Sequence, residues 1–203
     1  MTRPFGNLEK AKVLVIGHDP KLINSPILTD YALFADYYFK PVPTKLNEKA
    51  KYDLAKSLFA YIFLLTNQKH HGDELYITNL CNSPLPSVKG KIVFIPEDKA
   101  QAGLKEIKDI LSKSKIELIF AMSEQVNYWL QKLGFYNSYD SFLQKSAPKK
   151  RGIEAKGKFY EHTESKAFSL ICCKQFIADN KYKLIPILHV KNWPLKGNFK
   201  EAY

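Results

Sequence analysis

The fold class is decided by one short stretch, Val13-Leu14-Val15-Ile16-Gly17-His18-Asp19-Pro20. Its first four residues are apolar, with no polar alternation, which is typical of a strand buried on both faces. Glycine and proline then end the strand abruptly. Asp19 is therefore expected just beyond the carboxyl edge of a central strand, where open α/β sheets usually bind ligands. The alternative is a tight turn in which Asp19 only bonds to nearby backbone.

Outward from this stretch, strand-like and helix-like segments alternate along the chain. The predicted strands are residues 12–16, 75–78, 116–121 and 184–188. The predicted helices are residues 47–67, 97–113, 123–133 and 164–180. This alternation predicts a three-layer α/β/α fold with a central, mainly parallel sheet of about four strands. At 203 residues the chain is long enough for one well-filled core, so we expect a single domain over residues 1–203.

Several protein classes are disfavoured by composition. No apolar run reaches the roughly 20 residues that span a bilayer, and the first six residues lack the apolar segment of a secretory signal. Three cysteines cannot form a paired framework, which favours a reduced, cytoplasmic protein. The neighbours His70 and His71 are not expected to bind a metal, because adjacent side chains seldom point at one ion. We therefore expect a cytoplasmic monomer with no membrane partner.

The formal net charge of +11 favours a polyanionic partner such as nucleic acid, bound through its phosphates. Positive charge is densest around Lys149, Lys150 and Arg151, with further lysines at 145, 156 and 158. This segment is predicted to be a basic DNA-binding loop. The alternative is a lysine-rich surface that is merely solvated.

Three polar residues each follow the end of a different predicted strand: Asp19, Asn79 and His189. Because strands of the same sense end at one edge of a parallel sheet, these distant residues are expected to converge. An acid, an amide and an imidazole suit a pocket for a polar heterocycle. Each residue alone is a weak signal, since such residues often cap turns, and the prediction rests on their joint placement.

These strand ends resemble the motifs of the uracil-DNA glycosylase superfamily, in order and context, from about Val13 to Leu195. Gly17-His18-Asp19-Pro20 is similar to the first motif of that family, and Leu75–Asn79 resembles its second strand. Residues 118–122 and the helix after them resemble the third strand and its helix. Leu188-His189-Val190 resembles the last motif, in which histidine is normally followed by Pro-Ser.

The resemblance implies a DNA glycosylase that acts in base-excision repair on uracil or another deaminated or damaged base. Asp19 would orient or deprotonate the attacking water. Asn79 would bind the Watson–Crick edge of the base, since its amide is both donor and acceptor. His189 would donate a hydrogen bond to a base oxygen as negative charge develops there. The base must first leave the DNA stack.

The base pocket implied by the resemblance also includes Gly17 and His18 of the first motif, with Phe34 as the aromatic residue that stacks on the base. The alternative for Phe34 is a core position, because residues 25–39 are dense in aromatics. The chain lacks four cysteines and any Cys-x-x-Cys, so the iron–sulfur cluster of some family branches is not expected. No cofactor is expected.

After His189 the chain departs from the family pattern, with Lys191 and Trp193 where a Pro-Ser-rich loop would stand. Trp193 occupies the place of the side chain that enters the duplex, and Lys191 would contact a phosphate. The alternative is that Trp193 packs against the end of the sheet. Lys21-Leu22 replaces the Tyr-His that follows the first motif in the uracil-specific branch, so the usual screen against thymine is not evident.

Two other functions remain open from the sequence. A non-catalytic nucleic-acid-binding protein of the same fold is compatible with the altered last motif. An α/β enzyme for a small phosphorylated ligand would be expected to carry a Gly-x-Gly-x-x-Gly or Gly-Lys-Ser/Thr motif, and the chain has neither.

Overall fold

A computed structural model of the protein describes residues 2–18, 30–85, 94–139, 143 and 166–190. The strands are β1 (Val13–Gly17), β2 (Leu75–Asn79), β3 (Leu118–Met122), β4 (Phe176–Ala178) and β5 (Tyr182–Ile187). The helices are α1 (Leu46–Leu65), α2 (Glu97–Ser112), α3 (Glu124–Lys132) and the short α4 (Lys166–Ser169). Two 3₁₀ helices lie at Ala32–Phe39 and Gly72–Glu74. None of these helices is long and apolar enough to cross a membrane.

In this part of the chain the strands form one sheet in the order β2-β1-β3-β5-β4. The first three pairs in this order are parallel, so the expectation of a mainly parallel sheet is confirmed. The expected helix over residues 164–180 is wrong for much of its length. Within the described residues 166–180, Lys166–Ser169 is helical, and Phe176–Ala178 forms a fifth strand, antiparallel to β5. Residues 179–181 make a tight turn between these two strands, and such a hairpin brings a short segment into the sheet regardless of its helix propensity.

Helices cover both faces of the sheet because its central strands carry apolar side chains on both sides. On one face, Val13 and Val15 belong to a core with Leu58 and Ile62 of α1. On the other face, alternate residues of β1 and β3 belong to a second core with apolar residues of α2 and α3. Buried strands without polar alternation require such double coverage.

Helix α3 is held against the sheet by a buried polar network. The Asn127 side chain donates to the Ala121 carbonyl at 2.9 Å, at the end of β3. The Tyr136 hydroxyl donates to Asn127 Oδ1 at 2.7 Å and accepts from Gln131 Nε2 at 3.0 Å. Burial raises the pKa of the Tyr136 phenol well above its ordinary value. Such a satisfied network fixes α3, and with it the residues at the end of β3.

Candidate functional site

The candidate site lies at the carboxyl edge of the parallel strands. Gly17 at the end of β1 is the register partner of Asn79 at the end of β2. Met122 at the end of β3 pairs in the same way with Ile187 of β5. His18, Ser123 and His189 follow these strand ends within one or two residues. The fold therefore brings Gly17, His18, Asn79 and His189 to one edge, while Asp19, the third residue of the predicted set with Asn79 and His189, lies outside the described residues.

Asn79 places a buried polar group at this edge. The residue is 2% exposed, and its Oδ1 atom is buried with no hydrogen-bond partner among the described residues. A buried amide oxygen without a donor costs about 1–3 kcal/mol. A Cβ on Gly17 would lie 2.5 Å from this oxygen and 3.3 Å from the Leu33 side chain. Only glycine at position 17 thus leaves room for the Asn79 amide beside β1.

His18 directly follows β1, and its side chain contacts α3, while its backbone carbonyl accepts from the Cys81 amide at 3.1 Å just after β2. Its Nε2 atom is hydrogen-bonded to Oε1 of Gln125 in the first turn of that helix. The same Gln125 oxygen accepts from the Ile95 backbone amide at 2.8 Å. Gln125 is fully buried and His18 only 9% exposed, so the imidazole is oriented by a buried side chain. Gln125 is not among the residues singled out from the sequence, since helix periodicity marks it only as an ordinary first-turn residue.

Ser123 joins β3 to α3 in a strained conformation that the sequence does not signal. Its φ is 79° and its ψ is 155°, a region populated almost only by glycine. Its backbone amide donates to the Ile187 carbonyl at 3.0 Å, which ties the start of α3 to the end of β5. The Ser123 hydroxyl oxygen is buried without a partner among the described residues. Strain of this kind concentrates at functional sites and is imposed by the surrounding structure.

His189 is half-buried and lies two residues beyond β5. In the sheet order, β1 and β3 separate β2 from β5. With neighbouring strands about 4.8 Å apart, the strand ends that carry Asn79 and precede His189 are roughly 14 Å apart along the edge. A ligand that touches both side chains must therefore lie across the ends of β1 and β3.

The 3₁₀ helix at Ala32–Phe39 borders the same edge through strained residues. Leu33 and Phe34 have φ values of 54° and 56°, which is unusual for bulky side chains. Leu33 approaches Gly17, and Phe34 is half-buried, with its ring 6.4 Å from that of Tyr37. Phe34 is thus next to a residue that touches the site, and it is partly exposed rather than enclosed in the core.

Several predicted site residues lie outside the described residues: Asp19, Lys149, Lys150, Arg151, Lys191 and Trp193. His70 and His71 lie instead in the turn before β2. His70 Nδ1 is 3.2 Å from Glu74 Oε2, and the His71 backbone amide donates to the same oxygen at 3.2 Å. Across the described ranges, no group of three or more His, Cys, Asp or Glu residues is arranged to hold a metal ion.

Comparison with known proteins identifies no family. No protein-family model matches the chain. A search of curated proteins finds no significant match either. What the site does must therefore be argued from its own geometry.

Proposed function

We propose that this protein is a DNA glycosylase of the uracil-DNA glycosylase superfamily, which hydrolyses the N-glycosidic bond of uracil or another deaminated or damaged base flipped out of DNA. The observation that carries the proposal is the Asn79 amide, whose buried oxygen lies beside Gly17 at the carboxyl edge and has no donor in the described part of the chain. A base that presents an N–H group on its Watson–Crick edge would supply that donor.

The other residues that the sequence singled out support the proposal by their chemistry. His189, across the ends of β1 and β3 from Asn79, would stabilise negative charge on a base oxygen as the glycosidic bond breaks. Asp19 would activate water for attack on the sugar carbon. The bond between the base nitrogen and C1′ breaks, the base leaves as an anion that takes up a proton, and water adds to C1′. Phe34 would stack on the flipped base.

The proposal is tested by base release in a single turnover. The protein is incubated with oligonucleotides that each carry one modified base, and abasic sites are detected by alkaline strand cleavage. Asn79→Ala is expected to weaken the selection among bases, because the edge of the base is no longer matched. His189→Ala is expected to slow release about a hundredfold, the effect typical of losing one oxyanion donor.

Asn82→Ala is the matched control. Asn82 is also buried and lies three residues beyond Asn79. Its Oδ1 likewise has no donor among the described residues, but its Nδ2 donates to Thr78 and Glu106 at 3.3 Å, and the proposal gives it no contact with the base. Its loss is expected to lower stability without changing base selection. Equal effects of the two asparagine variants on base selection would contradict the proposal. Absence of base release from every substrate by the parent protein would replace it with the non-catalytic DNA-binding alternative.

A further inference from the structure

A second cluster of interest lies on the surface formed by the 3₁₀ helix at Ala32–Phe39 and the first half of α1. It combines aromatic rings with lysine side chains that lie over them. The Lys51 ammonium is 5.7 Å from the centre of the Phe34 ring and 5.5 Å from that of Tyr37. The Lys56 ammonium is 4.5 Å from the Tyr38 ring and 5.3 Å from the Tyr52 ring. These six residues are called the aromatic–lysine surface below.

The lysines of this surface are not neutralised by acidic neighbours in the described structure. Lys40, at its border, is paired with Asp36. Lys51 and Lys56 form no ion pair with any carboxylate of the described residues. An ammonium over a ring face gains about 0.5–1 kcal/mol at exposed sites, and its charge remains available to an anion. The surface therefore offers two positive charges directly beside flat apolar rings.

The surface begins at the candidate site. Phe34 follows Leu33, whose side chain approaches Gly17 at the end of β1. Helix α1 connects the parallel neighbours β1 and β2, so it runs back along the sheet and begins near the carboxyl edge. Lys51 lies about 8 Å along this helix, which is about 30 Å long. The Lys51 charge is therefore near the carboxyl edge of the sheet, where the candidate site lies. The positive end of the α1 helix dipole lies near the same edge.

We propose that the aromatic–lysine surface binds single-stranded DNA next to the flipped base, an inference that rests on the proposed function. The lysines contact phosphates, and the partly exposed ring of Tyr37 stacks on an unpaired base next to the flipped base that Phe34 holds. Grooves for single strands combine these two features, with positive charge along the backbone and aromatic platforms for bases. Paired bases in a duplex do not present their faces, so the aromatic component favours an unpaired strand.

The test measures the salt dependence of binding to a fluorescent thymidine oligonucleotide of about 16 nucleotides by anisotropy. Undamaged thymidylate is used so that binding is measured independently of base release. The double variant Lys51→Gln, Lys56→Gln is expected to bind several-fold more weakly at low salt. Its slope of log affinity against log salt is expected to be shallower by about 1.4, since each single-strand phosphate contact contributes about 0.7. The parent is expected to bind the single strand more tightly than a duplex of equal length.

Two further variants separate charge from stacking. Lys113→Gln removes a lysine that is paired with Asp109 at the end of α2, in the layer on the other face of the sheet, and is expected to change neither affinity nor slope appreciably. Tyr37→Leu is expected to reduce affinity about tenfold while leaving the salt slope unchanged, because stacking releases no counterions. Thermal unfolding of each variant checks that the fold is retained.

The proposal is overturned if the parent does not bind the oligonucleotide at low salt, or binds the duplex equally well. It is also overturned if the double variant keeps the parental salt slope. The same holds if Lys113→Gln lowers the affinity as much as the double variant does for each charge removed. Binding without base release from any modified substrate would remove the proposed function and leave the single-strand surface standing. Base release by the parent, together with an unchanged salt slope in the double variant, would support the proposed function and overturn the single-strand surface.

Discussion

Single residues at the carboxyl edge depart from what stability alone would select. Asn79 has a buried oxygen without a donor among the described residues, and Ser123 adopts a conformation suited to glycine. Both features cost free energy, and both occur where strands end. Gly17 shows the complementary constraint, because any side chain there would displace the Asn79 amide. Gly17 at the edge of the sheet therefore leaves room for the Asn79 amide, where a larger residue would pack more apolar surface.

The strain at Ser123 leads to a stability prediction. Ser123→Gly is expected to raise the free energy of unfolding by about 1 kcal/mol, because relief of about 1–3 kcal/mol of strain exceeds the added entropy of glycine in the unfolded chain. Ser123→Ala keeps the strain and removes the hydroxyl, so it serves as the control. Urea denaturation of the three proteins gives the comparison. A glycine variant less stable than the alanine variant would contradict the assignment of strain.

At the scale of elements, the candidate site depends on how closely α2 approaches the chain after β2. A Cβ on Gly103 would lie 1.7 Å from the Leu80 carbonyl oxygen, a contact with backbone that cannot move aside easily. Leu80 directly follows Asn79, and its amide donates to the Gly17 carbonyl at 2.9 Å. The small residue in α2 therefore allows the helix to support the segment that holds Asn79.

Gly103→Ala is expected to lower the free energy of unfolding by about 1–3 kcal/mol, the usual cost of overpacking, although alanine is the better helix former. The same variant is expected to impair base selection, because Leu80 and hence Asn79 must shift. Lys105→Ala, at an exposed position of the same helix, is the control and should leave both properties nearly unchanged. A stabilised Gly103→Ala protein would show that α2 lies farther from Leu80 than described.

At the scale of the whole molecule, the net charge of +11 is expected to govern association with DNA. The basic segment Lys149-Lys150-Arg151 lies outside the described residues, so its role remains a prediction from sequence. Replacing its three charges with glutamine is expected to make the single-strand salt slope shallower by about 2, if each charge contacts one phosphate.

The matched control replaces Lys105 and Lys108 of α2 and Lys113, directly after it, with glutamine, which removes the same total charge from another part of the surface. Anisotropy titrations over a range of salt concentrations compare the two triple variants. A shallower slope only in the first variant is the expected result. Equal slopes would mean that net charge acts diffusely and that the basic segment makes no specific contact.

The sequence by itself determined the parallel strands and the helices between them. Runs such as Val13–Ile16 and the periodic apolar residues of α1 bury so much apolar surface that they outweigh weak local preferences for another secondary structure. It also placed Asn79 and His189 at strand ends, since the carboxyl edge follows from strand direction. Only the tertiary structure decided the strand at Phe176–Ala178, which forms because β5 offers it an edge to pair with. The buried Asn79 oxygen, the Gln125 contact to His18 and the strain at Ser123 likewise depend on groups distant in sequence, whose positions no local pattern encodes.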